Sequence, residues 1–277
     1  MNIQEMIENI IELALKEDGQ DITSNAIFQE GESLAAVFMA KQEGIIAGLD
    51  VVNDVFAQVN KEISCRFAVS DGAVIHAGKH FGSVEGPAVD ILKAERVALN
   101  FLQRMSGIAT MTSRYVAMVH GTRARILDTR KTAPGHRILD KWAVRIGGGS
   151  NHRMGLSDMA LIKDNHVDRA GSISEAVTRV RRSCPGVPLE VEARSLEHVR
   201  ELLEIGVERI MLDNFTLKDL KSAVTMVDGA VPLEASGGIT IDTVRDVALT
   251  GVDFISVGDI THSVKSLDIS LIIKGLS

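Results

Sequence analysis

The chain has 277 residues, 45% hydrophobic and 24% charged, an ordinary globular balance with length for one large domain or two moderate ones. No apolar run reaches the ~18 residues of a membrane span, and the net charge of −7 argues against a general nucleic-acid binder. The acidic amphipathic start, MNIQEMIENIIELALKEDG, lacks the basic leader and small-residue cleavage site of a signal peptide. Cys65 and Cys184 are the only cysteines and sit in unrelated contexts, so free thiols in a reducing, cytoplasmic compartment are expected.

In chain order, Ile3, Ile7, Ile10, Ile11 and Ala14 fall at helical spacing and predict a helix over 3–16. A polar turn, DGQDITS (18–24), follows. Strands are predicted over 33–41, 44–47 and 62–68, with the helical LDVVNDVFAQV (49–59) among them, giving a small, mostly antiparallel α/β layer. Two helical segments come next, roughly 88–104 and 106–119, with the stripe Ile91, Ala94, Val97, Ala98, Phe101 and Leu102. After Gly121 short apolar runs (ARIL, MALI, LEVE, RIML, PLEA, DFISV) alternate with helical patterns such as SISEAVTRVRR and SLEHVRELLEI. That alternation marks βαβ units and a parallel sheet. Glu192, Asp213 and Glu234 recur every 21 residues, and six or seven strands are too few for a closed eight-stranded barrel. The predicted fold is an N-terminal α/β layer (1–105 plus 265–277) with an open α/β barrel (106–264). The closing SLDISLIIKGL (266–276) alternates as a strand and is expected to return to the N-terminal layer.

Charge is unevenly distributed. Between Arg123 and His166 there are nine Lys/Arg and four Asp, a local +5 that leaves −12 for the rest of the chain. A charge run is usually a solvated face. Here it coincides with strand ends, where parallel α/β folds build their sites: Asp128, Lys163, Glu192, Asp213, Ser236 and Gly258 each stand at or just after one. Arg130 and Lys131 supply a planar fork and a point charge for phosphate or carboxylate. Gly147, Gly148 and Gly149, ahead of Asn151, His152 and Arg153, form either a flexible loop or an exposed set of N–H groups for an anion. Lys163 reads as a Schiff-base nucleophile, as a cation facing an anionic substrate, or as an outward-snorkelling side chain. Glu192 and Asp213 suit acid–base work, Mg²⁺ or ribose hydroxyls, or simply ion pairs with basic neighbours. Ser236-Gly237-Gly238, and Gly258 with His262, sit where late barrel loops bind phosphate.

Taken in order, DTRKTAPG, GGGSNHRMGL, LIKDNH, LEVE, MLDN, EASGGI and DFISVGDITHS closely resemble the quinolinate phosphoribosyltransferase family. The likeness extends upstream through DITS, GIIAGLD and AERVALNFLQRMSGIAT, so it covers nearly the whole chain. The resemblance implies conversion of quinolinate and phosphoribosyl pyrophosphate to nicotinate mononucleotide, pyrophosphate and CO₂ in de novo NAD synthesis, with Mg²⁺. It implies an α/β sandwich for the N-terminal layer, and a homodimer with shared sites, or a higher oligomer built from it. It places the quinolinate carboxylates on Arg130, His152, Arg153 and Lys163, with Arg96 of the partner subunit reaching in. It sets Lys131 against the pyrophosphate and gives Glu192 and Asp213 the ribose hydroxyls, directly or through Mg²⁺. Ser236, Gly237, Gly238, Gly258 and His262 take the 5′-phosphate, and Lys131, Lys163, Glu192 and Asp213 form the catalytic set. His136 stands where family members often carry an apolar residue. A related group found with molybdate-transport genes shares the TRKT and HRLG pieces and generally lacks KDNH, which is present here. From the residues alone, a Schiff-base lyase using Lys163 and a non-catalytic phosphate-ligand sensor are the competing classes.

Overall fold

The computed structural model describes residues 2–274, which form two compact units. The first takes in residues 2–113, 132–148 and 263–274; the second takes in Arg114–Lys131 and Gly149–His262. Residues 132–148, inside the range expected for the barrel, thus belong to the first unit.

The first unit opens with α1 (Ile3–Asp18), started by a capping box in which the Asn2 side chain accepts from the Glu5 N–H at 2.8 Å. Its buried stripe is Ile7 and Ile11. The predicted polar turn tightens into α2 (Ile22–Ile27), because Asp21 caps the N–H groups of Thr23 and Ser24. β1 (Ser33–Ala40) alternates as expected and buries Leu34, Ala36, Phe38 and Ala40. β2 (Gly44–Ile45), α3 (Leu49–Val59), β3 (Ser64–Phe67), β4 (Val74–Ile75) and β5 (His80–Pro87) follow. β5 is not apparent in the sequence: in HFGSVEGP only Phe81 and Val84 face the core, too sparse a pattern to register as alternation.

α4 (Ala88–Met118) is one helix of 31 residues where the sequence predicts two segments. Gly107, near the expected break, permits a close approach: a side chain there would collide with the backbone of Lys265 and Ser266. The predicted stripe from Ile91 to Leu102 is buried. Beyond β6 (Arg125–Leu127), in the second unit, α5 (Arg137–Ile146) returns to the first and places Asp140 fully buried against Arg104. That pair is bidentate, at 2.8 Å for both Nε–Oδ1 and Nη2–Oδ2. Asp140 also accepts from the Ala133 N–H at 3.2 Å, which anchors the loop carrying Thr132 and Pro134. Gly147, first of the glycine triplet, lies against Ala109 and Thr112, so its small size serves helix packing rather than an anion.

The second unit contains β6 and then β7 (Ala160–Ile162), α6 (Asp164–Ala170), α7 (Ile173–Ser183), β8 (Leu189–Ala193), α8 (Leu196–Ile205), β9 (Arg209–Asp213) and α9 (Leu217–Val227). It closes with β10 (Leu233–Ser236), α10 (Val244–Ala248), β11 (Phe254–Ser256) and α11 (Asp259–His262). Ser172, Ser195 and Thr216 cap α7, α8 and α9 by accepting from the N–H three residues on, which starts each helix sharply after its strand. The six strands are parallel in the order β6-β11-β10-β9-β8-β7. Among the described residues β6 and β7 do not pair, so the barrel is open as expected. The last strand, β12 (Ile269–Ile273), joins the first unit's antiparallel sheet, ordered β12-β1-β5-β3, with Ile273 opposite Ala36 and Ile269 opposite Ala40. The predicted return is therefore observed; residues 275 and 276 of that predicted strand lie outside the described residues.

Side-chain facing in the parallel sheet follows from register. Glu190 pairs with Arg209, Glu192 with Met211, Met211 with Glu234, and Asp213 with Ser236. Register partners in parallel strands share a face. One face therefore carries Glu190, Glu192, Arg209, Asp213, Glu234 and Ser236, while Val191, Ile210, Leu212 and Ala235 fill the apolar core on the other.

Candidate active site

The polar residues at the C-terminal strand ends all lie on the second unit. Asp128 follows β6, Lys163 follows β7, Glu192 is the penultimate residue of β8, Asp213 ends β9, Ser236 ends β10 and Gly258 comes just after β11. Asp128 is fully buried. It accepts from Asn151 Nδ2 at 2.5 Å and from the His152 N–H at 2.9 Å, so it ties the Arg130-Lys131 loop to the Asn151-His152-Arg153 loop. The second loop is also stitched beside β6, where the Ser150 N–H donates to Ile126 O at 2.9 Å.

These ties bring Arg130 and Arg153 close enough to repel. The Arg153 pKa is lowered, first by burial and then by the charge of Arg130. Glu190, Asp158 and Glu192 act in the opposite direction on the Arg153 charge. Arg153 Nη1 donates to Met159 O at 3.0 Å, which limits the side chain's swing. Lys163, half-exposed, donates from Nζ to Glu192 Oε1 at 2.8 Å, and the Asp164 N–H reaches Glu192 Oε2 at 3.4 Å. Lys131, Gly258 and His262 form another group: a side chain at Gly258 would press on the His262 ring at 3.0 Å and on Lys131 Cδ at 3.4 Å. Thr261 Oγ1 donates to Lys131 O at 2.9 Å and holds that group together. Asp213 is joined to Asn214, whose N–H donates to Ser236 O at 2.9 Å.

His152 lies beneath the arginine pair. The ring is buried and points into the barrel, with Nε2 3.0 Å from Glu190 Oε2 and 3.5 Å from Glu234 Oε1. Its Nδ1 accepts from the Arg153 N–H at 2.7 Å. Nδ1 is thus engaged by the backbone, and Nε2 faces two buried carboxylates. Arg96 stands exposed on α4, in the first unit.

Under the strand-end groups lies a polar layer that the sequence motifs do not single out. Glu190 and Glu234 are fully buried, and Glu234 is held by Arg209 Nη1 at 3.2 Å and by the Ser256 hydroxyl. Burial raises the Glu190 pKa to about 6, against the pull of His152. Burial also acts upward on Glu234, but His152, Ser256 and Arg209 outweigh it and the pKa is lowered. For His152, burial disfavours the charged ring and the two carboxylates override it, raising the pKa to about 9. The Arg153 N–H bond needs a bare Nδ1 lone pair and so opposes that protonation. The sequence does carry signals for these residues: Glu190 stands two residues before Glu192 on the same strand face, and Glu234 lies on the 21-residue beat.

His152, Glu190 and Glu234 are also the one trio of potential metal ligands among the described residues. Arg209 already supplies a cation there. Glu192 and Asp213 by themselves offer two carboxylates, which suits a Mg²⁺ ion completed by substrate oxygens and water rather than an all-protein cage.

A six-stranded parallel barrel with arginines, lysines, carboxylates and glycine turns on one rim defines an α/β enzyme acting on an anionic, hydroxylated substrate. The chain belongs to the quinolinate phosphoribosyltransferase family: the C-terminal domain of that family matches residues 108–272 and the N-terminal domain residues 21–106. It is 46% identical to the chloroplastic nicotinate-nucleotide pyrophosphorylase [carboxylating] of Oryza sativa, over 96% of this chain and 77% of that protein. The corresponding protein of Mycobacterium leprae is 44% identical, over 94% of this chain and 95% of its own. Among solved structures, the nicotinate-nucleotide pyrophosphorylase from Francisella tularensis superposes with a TM-score of 0.94 at 38% identity, covering 99% of this chain and 98% of that one.

Proposed function

We propose that the chain is a decarboxylating quinolinate phosphoribosyltransferase of NAD synthesis. The observation that carries this reading is the pairing of two groups on one barrel rim. Arg130, Arg153 and Lys163 form a cationic clamp, Glu192 stands at its edge on Lys163, and Asp213 is joined through Asn214 to the Ser236-Gly237 turn. A pyridine dicarboxylate suits the first group, and a phosphorylated ribose suits the second.

In this reading Arg130, Arg153 and Lys163 orient quinolinate by its carboxylates, helped by Arg96 of the partner subunit. His152, which accepts from the Arg153 N–H, backs this clamp on the carboxylate side. Lys131 faces the pyrophosphate, Glu192 and Asp213 hold the ribose hydroxyls, and Ser236, Gly237, Gly238, Gly258 and His262 surround the 5′-phosphate. Mg²⁺ between Glu192, Asp213 and the substrate would neutralise pyrophosphate charge. The clamp aims the ring nitrogen at the anomeric carbon; the C–N bond forms as the C–O bond breaks, and its electron pair leaves with pyrophosphate. The ribosylated nitrogen is then cationic, and its charge stabilises the electron pair left on the adjacent ring carbon when that carbon's carboxylate departs as CO₂; the pair then takes up a proton. Orientation of this kind contributes several kcal/mol, roughly, in favourable cases.

A Schiff-base role for Lys163 is less well supported, since Nζ is committed to the Glu192 carboxylate. The family resemblance supports a homodimer with shared sites. The cysteines are free, as suits a cytoplasmic enzyme, and no helix among the described residues is long and apolar enough to cross a membrane. The direct test is incubation with quinolinate, phosphoribosyl pyrophosphate and Mg²⁺. Equimolar nicotinate mononucleotide and CO₂ are expected, and failure to release CO₂ overturns the reading.

A further inference from the structure

Asn214 is one of two non-glycine residues with positive φ among the described residues, at φ 56. Asn tolerates this left-handed conformation better than most residues do, so the backbone alone does not account for what its side chain does. The side chain is exposed, yet it is engaged on both sides. Its Nδ2 donates to Asp213 Oδ2 at 2.8 Å. Its amide oxygen occupies the space a side chain at Gly237 would need, with Cγ only 2.6 Å from that position. Gly237 itself is at φ +100, and the Asn214 N–H donates to Ser236 O at 2.9 Å. One residue thus braces the end of β9 and the turn after β10.

We infer that Asn214 is a positioning residue that joins the ribose and 5′-phosphate subsites, fixing the rotation of the Asp213 carboxylate while propping the Ser236-Gly237 turn. This rests on the proposed assignment of Asp213 and of the glycine turn to phosphoribosyl pyrophosphate. The amide takes Oδ2 and leaves Oδ1, which has no hydrogen-bond partner among the described residues, free for a hydroxyl or a hydrated cation. An amide donor also keeps the carboxylate in one rotamer without adding charge, which a lysine or arginine there would do. Loss of Asn214 should therefore affect the phosphoribosyl half alone.

The deciding variant is Asn214→Gly, because glycine adopts this φ without strain and keeps the turn while removing the amide. The measurements are KM and kcat for each substrate, with calorimetric titration of quinolinate as a separate readout. We expect the KM for phosphoribosyl pyrophosphate to rise about ten-fold, the lower range for a hydrogen bond to a charged group at an exposed site. Quinolinate affinity should stay within two-fold. Asn214→Asp places a second carboxylate against Asp213 and should be worse on the same substrate. It keeps side-chain volume and the tolerance for positive φ, so it carries the test if the glycine variant does not fold. Asp213→Asn is the companion arm. If it weakens phosphoribosyl pyrophosphate while the Asn214 variants leave that KM unchanged, Asn214 is a turn residue only and this inference falls, with the proposed function intact. If none of the variants moves that KM, the assignment of Asp213 falls and takes this inference with it. Equal loss of both substrates also overturns it.

Discussion

Lys163 Nζ lies 2.8 Å from Glu192 Oε1, so the cation assigned to quinolinate and the carboxylate assigned to ribose hold each other. The pair links the residue after β7 to β8, half-exposed on the Lys163 side and nearly buried on the Glu192 side, and with its cation open to solvent it adds roughly 1 kcal/mol to stability. Binding must therefore redirect both groups at little structural cost. Lys163→Ala is expected to lower kcat/KM about thirty-fold or more, the effect of removing a cation from a charged ligand. Its melting temperature should stay within about 3 °C of the parent protein, given that small contribution. Steady-state kinetics beside a thermal melt checks this. Near-normal turnover would return Lys163 to the role of an outward-snorkelling lysine.

The buried Asp128 leads to the opposite expectation. It satisfies Asn151 Nδ2 and the His152 N–H from a position with no solvent exposure. Asp128→Ala strands both donors and frees two loops, so a loss of about 2–4 kcal/mol is expected together with loss of activity. Urea denaturation at several protein concentrations measures it. A variant that is inactive but fully stable would mean that Asp128 acts on substrate directly.

His152 gives a pH dependence with a definite sign. Its folded pKa is raised to about 9 from an ordinary 6.5, so the folded protein binds more protons between those values. The stabilisation is fully present below about 6.5 and is lost as pH rises through about 9. Glu190, raised to about 6, adds a contribution in the same direction that is lost between its ordinary 4.5 and about 6. The stability difference between the parent protein and His152→Gln should be larger at pH 6 than at pH 9.5. A difference that stays constant across that range would show that the Arg153 N–H bond keeps the ring neutral throughout.

Much of this arrangement is legible in the amino-acid sequence, and what is not legible has identifiable physical causes. Strand ends can be read because an apolar run stops where a functional group begins, as at MALI-Lys163 and RIML-Asp213. Depth cannot. The 21-residue beat aligns Glu192, Asp213 and Glu234 in sequence, but β10 ends two residues after Glu234, so Ser236 is level with Asp213 and Glu234 is buried. A histidine beside an arginine gives no sign of which way its ring points. Two buried carboxylates turn the His152 ring inward, and both come from strands remote in sequence. The helix break expected near residue 105 is absent, and the role of Gly107 just beyond it, a close contact with the distant segment Lys265–Ser266, leaves no local mark.

Substrate choice follows from the two arginines. Arg153 already has its charge disfavoured by burial and by Arg130. A ligand with one carboxylate leaves part of that repulsion in place, and removing one partner of a buried charge pair costs about 2–5 kcal/mol. Nicotinate should therefore be turned over at least about thirty-fold less efficiently than quinolinate by the same reasoning. Parallel assays with the two acids decide the matter, and equal kcat/KM would remove the dicarboxylate clamp from the proposal.

The assembly is tested through Arg96. It is exposed on α4, on the helix face away from the buried stripe of Ile91, Ala94, Val97, Ala98 and Leu102. An exposed arginine that the helix does not need for packing is available to a ligand or to another chain. The open edge between β6 and β7 leaves a barrel that a second copy can complete, and a two-fold dimer does so twice. If Arg96 of the partner subunit serves each pocket, Arg96→Ala and Lys163→Ala homodimers are each inactive for different reasons. In a mixed dimer one pocket carries both lesions and the other carries neither. Mixing the two variants under conditions that allow subunit exchange should therefore restore activity, to about half of the parent value per mixed dimer by that symmetry. Mass spectrometry of differently tagged subunits confirms exchange independently of activity. Exchange without any recovery would assign Arg96 to its own subunit's pocket and end the shared-site proposal.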